Sequence, residues 1–147
     1  MSAARPTLGD EIPTFVVESV SAENMKLMAL LLRDPNPIHF DLDAVASAGL
    51  GSRVVNQGGT TLAYVYNMLE AWAGPEGAVR RVGCRFRGNV FAGDHVTAGG
   101  VVTCVRILPD GIDVDCDVWV ERSDGVRVIT GTATVGLPAP ATREATT

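Results

Sequence analysis

From Gly58 to Ala73 the chain reads GGTTLAYVYNMLEAWA, a stretch free of proline that Gly74-Pro75 then stops. Leu62, Val65, Leu69 and Trp72 recur at intervals of 3, 4 and 3, which draws one wide apolar stripe down a helix. Such a stripe has to be buried against something, and the residues beyond Pro75 supply the surface. Val79–Val90, His95–Leu108, Ile112–Glu121 and Val126–Gly136 are rich in Val, Thr and Ile. Turn residues separate them: Ala92-Gly93-Asp94, Pro109-Asp110-Gly111 and Ser123-Asp124-Gly125, the last two being strong hairpin signals. Ile112, Val114, Cys116, Val118 and Val120 alternate with Asp113, Asp115, Asp117, Trp119 and Glu121, the mark of an antiparallel strand with one wet face. One buried helix wrapped by an antiparallel sheet, an α+β domain, satisfies both patterns.

The N-terminal half carries shorter elements. Thr14–Ser19 reads as a strand, and Ser21 caps a helix over Ala22–Leu32 with Met25, Met28, Ala29 and Leu32 on one face. Pro35 and Pro37 stop that helix, because the residue before a proline is pushed out of the helical region. A helical turn over Leu42–Ala48 ends at Gly49. The 147 residues suit one domain, assigned to residues 1–137, with 138–147 (PAPATREATT) as a flexible tail lacking core material.

Several function classes drop out. A net charge of -5 gives no electrostatic footprint for nucleic acid or an anionic membrane surface. No segment has the ~18–20 apolar residues of a membrane span, and the N-terminus does not read as a signal peptide. Cys84, Cys104 and Cys116 form no C-x-x-C pair and are odd in number, which favours a reducing cytoplasm and neither a disulfide framework nor a metal site. Cys104 and Cys116 fall opposite each other if the Pro109–Gly111 hairpin is regular, and are read as reduced apolar side chains. Asp113-x-Asp115-x-Asp117 resembles the start of a calcium loop but is followed by Val118 where the turn needs Gly; a solvated strand face is the better reading. Arg81, Arg85 and Arg87 share a strand face, either simply solvated or facing the phosphates of a large substrate. His95 reads as a surface histidine.

The stretch with chemistry in it is Asp34-Pro35-Asn36-Pro37-Ile38-His39. The prolines forbid a helix and lock φ twice, which lowers the entropy lost in holding the flanking carboxylate and imidazole together. Groups held about one water apart can take a proton at one point and deliver it at another. The same residues also make an ordinary helix-terminating loop, with Asp34 capping an amide and His39 packing its ring. Both readings stand on the residues alone.

DPNPIH resembles the D-x-N-P-x-H signature of the MaoC-like hydratases and dehydratases, of the (R)-specific enoyl-CoA hydratase type. The resemblance runs from about Gly9 to Leu137 and takes in the Gly-bearing entry to the long helix (VVNQGG) and the later VFAGDHV. It implies a hot-dog fold, a long helix wrapped by an antiparallel sheet, assembled as a homodimer or higher oligomer. It implies that Asp34 and His39 are the catalytic pair, activating a water for addition to a trans-2-enoyl thioester of CoA or an acyl carrier protein, without metal or cofactor. Asn36 would buttress the loop or touch substrate. The thioester oxygen would meet N–H groups at the helix entry, Gln57, Gly58 or Gly59, with Gly58 the best match to the family's glycine and Gln57 able to add a side-chain donor. Two departures are visible: Leu32-Arg33 stands where the family has Ser/Thr-Gly, and Asn56-Gln57 where it has His-Gly. A hot-dog acyl-CoA thioesterase, or a silent partner subunit in a hetero-oligomeric dehydratase, are the alternatives.

Overall fold

The computed structural model describes residues 5–139. Strand β1 (Glu11–Val17) is followed by helix α1 (Ala22–Leu31), a 3₁₀ turn at Pro37–His39, helix α2 (Leu42–Ser47) and the long helix α3 (Gly58–Ala73). Then come β2 (Ala78–Phe86), β3 (Val96–Leu108), β4 (Gly111–Arg122) and β5 (Arg127–Pro138). The strands form one sheet in the order β1-β3-β4-β5-β2, every neighbouring pair antiparallel. Helix α3 lies across the inner face and touches all five strands.

The alternation in β4 is realised: Ile112, Val114, Cys116, Val118 and Val120 are all buried. Against them α3 presents Thr61, Val65, Met68 and Leu69, so the deepest stripe is turned slightly from the expected one. Leu62 and Trp72 sit at its margins and Met68 at its centre. The outward carboxylates of β4 have arginine or solvent for company. Arg80 Nε lies 2.9 Å from Asp113, Arg106 pairs with Asp115, and Asp117 is exposed.

Several boundaries differ from expectation. Strand β1 begins at Glu11, and β5 reaches Pro138, one residue into the expected tail; residues 140–147 lie outside the described residues. Strand β2 stops at Phe86 because the chain there changes partners: Val90 and Phe91 pair with the segment entering α3. A bulge between Val102 and Cys104 shifts the β3–β4 register, so Val102 faces Cys116 and Cys104 faces Asp115. The expected Cys104–Cys116 opposition is therefore absent. Cys104 is exposed, and burial pushes the Cys116 thiol up to about 12, with Asp115 and Asp117 adding to the shift. Arg81 and Arg85 share the outer face of β2, while Arg87 lies past its end with Nε donating to Thr130 Oγ1 at 3.3 Å. No helix among the described residues is long and apolar enough to cross a membrane.

Candidate active site

The loop between α1 and α2 is shaped by how α1 ends. Leu32 N donates to Met28 O at 2.8 Å, Arg33 N to Leu30 O at 3.3 Å and Asp34 N to Ala29 O at 2.9 Å. That double bonding pattern is a Schellman cap, and it requires a left-handed residue, here Arg33 with φ 52°. The cap turns the chain back so that Asp34 leaves the helix end beside the 3₁₀ turn. Short bonds then brace the loop: Asp34 Oδ1 accepts from Asn36 N at 3.1 Å, and Asn36 Oδ1 from Ile38 N at 3.3 Å. Pro37 occupies the first helical position of the turn, where a missing N–H costs nothing.

This brings His39 and Asp34 together, with His39 Nε2 3.2 Å from Asp34 Oδ2. His39 is buried and Asp34 half-buried. The other ring nitrogen, Nδ1, lies 2.6 Å from the carbonyl oxygen of Val55. A carbonyl only accepts, so Nδ1 carries a hydrogen and Nε2 is the nitrogen free to gain or lose one. Nε2 and Asp34 Oδ2, 3.2 Å apart, are within hydrogen-bonding distance of each other.

Val55 is itself stitched into place. Its N–H donates to Ile38 O at 3.0 Å, Asn56 N to Val90 O at 2.8 Å and Ala92 N to Val54 O at 3.0 Å. The same segment feeds α3, whose first intrahelical bond runs from Thr61 N to Gln57 O at 3.0 Å. The N–H groups of Gly58, Gly59 and Thr60 therefore have no acceptor within the helix, and they carry its positive dipole end.

A cleft of about 250 Å³ joins these parts. Asn36, His39, Asn56, Gly58 and Thr61 line one side, and the Phe86–Val90 segment the other. Of the residues singled out from the sequence, His39, Asn36 and Gly58 share this cleft. Asp34 reaches the pair from behind, lining a separate groove with Lys26, Ala29, Leu30 and Phe40. Gln57 is turned away: it is 1% exposed and its Nε2 donates to Met25 O at 2.8 Å, so its side chain does not line the cleft. Gly59 is exposed on the first turn of α3 and does not line it either.

On sequence alone Thr61 and Phe86 have no role, Asn56 stands only within the helix entry, and Tyr64 is only a candidate for the acyl pocket. Asn56 Nδ2 donates to Thr61 Oγ1 at 2.9 Å and to Tyr64 Oη at 3.3 Å, a small network across the first turns of α3. Burial raises the Tyr64 phenol above its ordinary range, partly offset by that Asn56 bond. Phe86 lays its ring against Gly58, where an added Cβ would lie 3.2 Å from Phe86 Cε1. A side chain there would need the Phe86 ring to give by a few tenths of an ångström.

The MaoC-like domain family matches residues 5–124 of this chain. The 3-oxo-4,17-pregnadiene-20-carboxyl-CoA hydratase beta subunit of Mycobacterium tuberculosis is 32% identical over 94 residues, 64% of this chain. The match spans 65% of that relative's own length. Among solved structures, the (R)-hydratase from A. caviae involved in PHA biosynthesis superposes with a TM-score of 0.81 at 25% identity, over 92% of this chain and 100% of that one. The ChsH1-ChsH2 complex from Mycobacterium tuberculosis gives 0.78 at 22% identity, over 90% and 99% respectively, a likeness of fold. The matched domain, the shared hot-dog architecture and the D-P-N-P-I-H loop in its place before the long helix agree: this chain belongs to the MaoC-like family of hydratases and dehydratases.

Proposed function

We propose that the chain adds water to trans-2-enoyl thioesters, acyl-CoA in the first instance, to give (R)-3-hydroxyacyl thioesters, and catalyses the reverse dehydration. The observation that carries this reading is the Asp34–His39 contact of 3.2 Å, with Nδ1 tied to Val55 O and Nε2 left as the mobile proton site. A water beside the pair loses a proton to it as its oxygen bonds to the β-carbon. The π electrons of the alkene pass to the α-carbon and the thioester carbonyl, and the α-carbon then receives a proton from the pair. Both proton movements use one wall of the cleft, so addition is syn. Negative charge gathers on the thioester oxygen during the first step, and the unpaired N–H groups at the start of α3, Gly58 first, are the donors offered to it. No electrons leave the substrate, so the reaction calls for no redox cofactor.

Purified protein mixed with trans-2-enoyl-CoAs of several chain lengths should consume the conjugated enoyl thioester absorbance. Asp34→Asn and His39→Ala should each lower the rate by about 10²–10⁴ while the fold is retained. Full activity in either variant would remove that residue from the mechanism. Release of free CoA thiol in place of hydration would point to a thioesterase. A second reading is favoured by the likeness to a hydratase beta subunit: the chain works with a different hot-dog partner. Activity appearing only when a second hot-dog chain is added would establish that assembly over a homodimer.

A further inference from the structure

We infer that Tyr64 closes the inner end of the cleft and restricts the acyl group to a short one, four carbons being favoured over eight or twelve. This rests on the hydratase reading above and names the substrate class of the same site. The cleft has a wet end and a dry end. Gly58, Phe86 and Asn89 are exposed at its mouth, whereas Val55, Asn56 and Thr61 are at most 6% exposed. The long polar arm of a CoA or carrier thioester is larger than the cleft and has to leave through the mouth. With the thioester oxygen on the N–H groups at the start of α3 and the β-carbon at His39, the rest of the acyl group points to the dry end.

What stands at that end is a side chain tied in place. Asn56, which lines the cleft, shares its Nδ2 between Thr61 Oγ1 at 2.9 Å and Tyr64 Oη at 3.3 Å. Tyr64 follows Thr61 by three residues, so it lies on the same face of α3, about 4.5 Å further along the axis. Its ring stacks on Phe15 of β1, with centroids 6.1 Å apart and planes inclined by 25°. Further along α3, Val65, Met68 and Leu69 are at most 1% exposed, so the helix offers no second channel. The cleft itself holds about 250 Å³, below the roughly 300–1,000 Å³ of pockets that enclose drug-sized ligands, and it must take the thioester and a water as well. A longer acyl group has to displace Tyr64, which breaks its bond to Asn56 and its stack on Phe15 together. Forcing extra carbon into a packed site of this kind lowers occupancy by roughly tenfold or more.

The test is kcat/KM for four-, eight- and twelve-carbon trans-2-enoyl-CoAs with wild type, Tyr64→Ala and Tyr64→Phe, with melting temperature recorded for each. In wild type kcat/KM should fall by at least about tenfold from four carbons to eight. Tyr64→Ala removes the ring and should raise the eight-carbon value relative to the four-carbon one by at least about tenfold, whatever its absolute rates. Tyr64→Phe keeps the ring and its stack on Phe15, and should keep the wild-type order of substrates. Where the alanine variant is too unstable to assay, Tyr64→Leu removes the ring while keeping an apolar side chain and should give the same shift. A wild-type profile that is flat or rises with chain length would overturn the inference, with no variant needed, and would leave the hydratase reading intact. An unchanged eight- to four-carbon ratio once the ring is gone would overturn it too. So would a phenylalanine variant that takes eight carbons as readily as the alanine one, because the ring would then not be the stop. No turnover by wild type on any substrate would remove the hydratase reading and this inference with it.

Discussion

Arg33 occupies a backbone conformation that its side chain disfavours, and releasing that strain has a calculable effect. With φ at 52°, it is the sole residue other than glycine in the left-handed region among the described residues. The left-handed region costs an L-residue about 1–2 kcal/mol through the clash of Cβ with the following carbonyl. Arg33→Gly removes that clash but gives the unfolded chain more freedom, which costs about 0.5–1 kcal/mol. The balance favours the variant by about 0.7 kcal/mol, or about 2 °C in melting temperature for a domain of this size. Arg33→Ala is the control: it removes the exposed arginine side chain yet keeps the Cβ, so it should stay near wild type. Urea and thermal unfolding of the three proteins, side by side, decide the matter. The bonds from Arg33 N to Leu30 O and from Asp34 N to Ala29 O survive in the glycine variant, so hydratase activity should be unchanged. Arg33→Pro, by contrast, loses a donor and cannot reach this φ, and should lose activity along with stability. A glycine variant no more stable than the alanine variant would refute the account of strain at this cap.

Two further outcomes concern the sheet. Arg106, and then Thr134 Oγ1 at 2.7 Å, hold the Asp115 carboxyl down at about 2, so its favourable contribution is present at neutral pH and is lost as pH falls from about 4 through 2. Asp115→Asn should therefore be less stable than wild type at pH 7, with the difference shrinking as pH falls through 4 and vanishing only below about 2, as read by urea unfolding at each pH. Gly131 in β5 sits where an added Cβ would fall on the carbonyl oxygen of Gly83 and 2.9 Å from Cys84 Cα, both backbone. Gly131→Ala must push β2 away from β5 and should cost upwards of about 3 kcal/mol, which a melting curve would show directly.

The features legible in the chain are those that local pattern controls. The five alternating apolar residues of β4 marked its inward face because a strand has no other way to bury them all. The two prolines announced a rigid loop around Asp34 and His39 because proline acts on its own φ and its predecessor's. The features that stayed hidden depend on distant partners. The bulge that moves Cys104 away from Cys116 is a matter of inter-strand register, which the alternation of one strand does not set. Gln57 looked like a donor for the cleft, but its amide finds Met25 O in the core, an acceptor 32 residues away in sequence. Phe86 looked like one more strand residue and is instead the wall against Gly58. The Arg33 conformation was equally silent, since the cap is demanded by how α1 meets the loop.

The bond from His39 Nδ1 to Val55 has one more consequence. The acceptor is a peptide carbonyl, so no substitution at position 55 deletes it. The imidazole's orientation is held by the chain's own path, through a segment pinned on one side to Ile38 and on the other to Val90 and Ala92. Point mutation can erase the histidine or the aspartate, but it has little purchase on which nitrogen faces Asp34. That choice belongs to the fold, and any change that reverses it must first unpick the backbone.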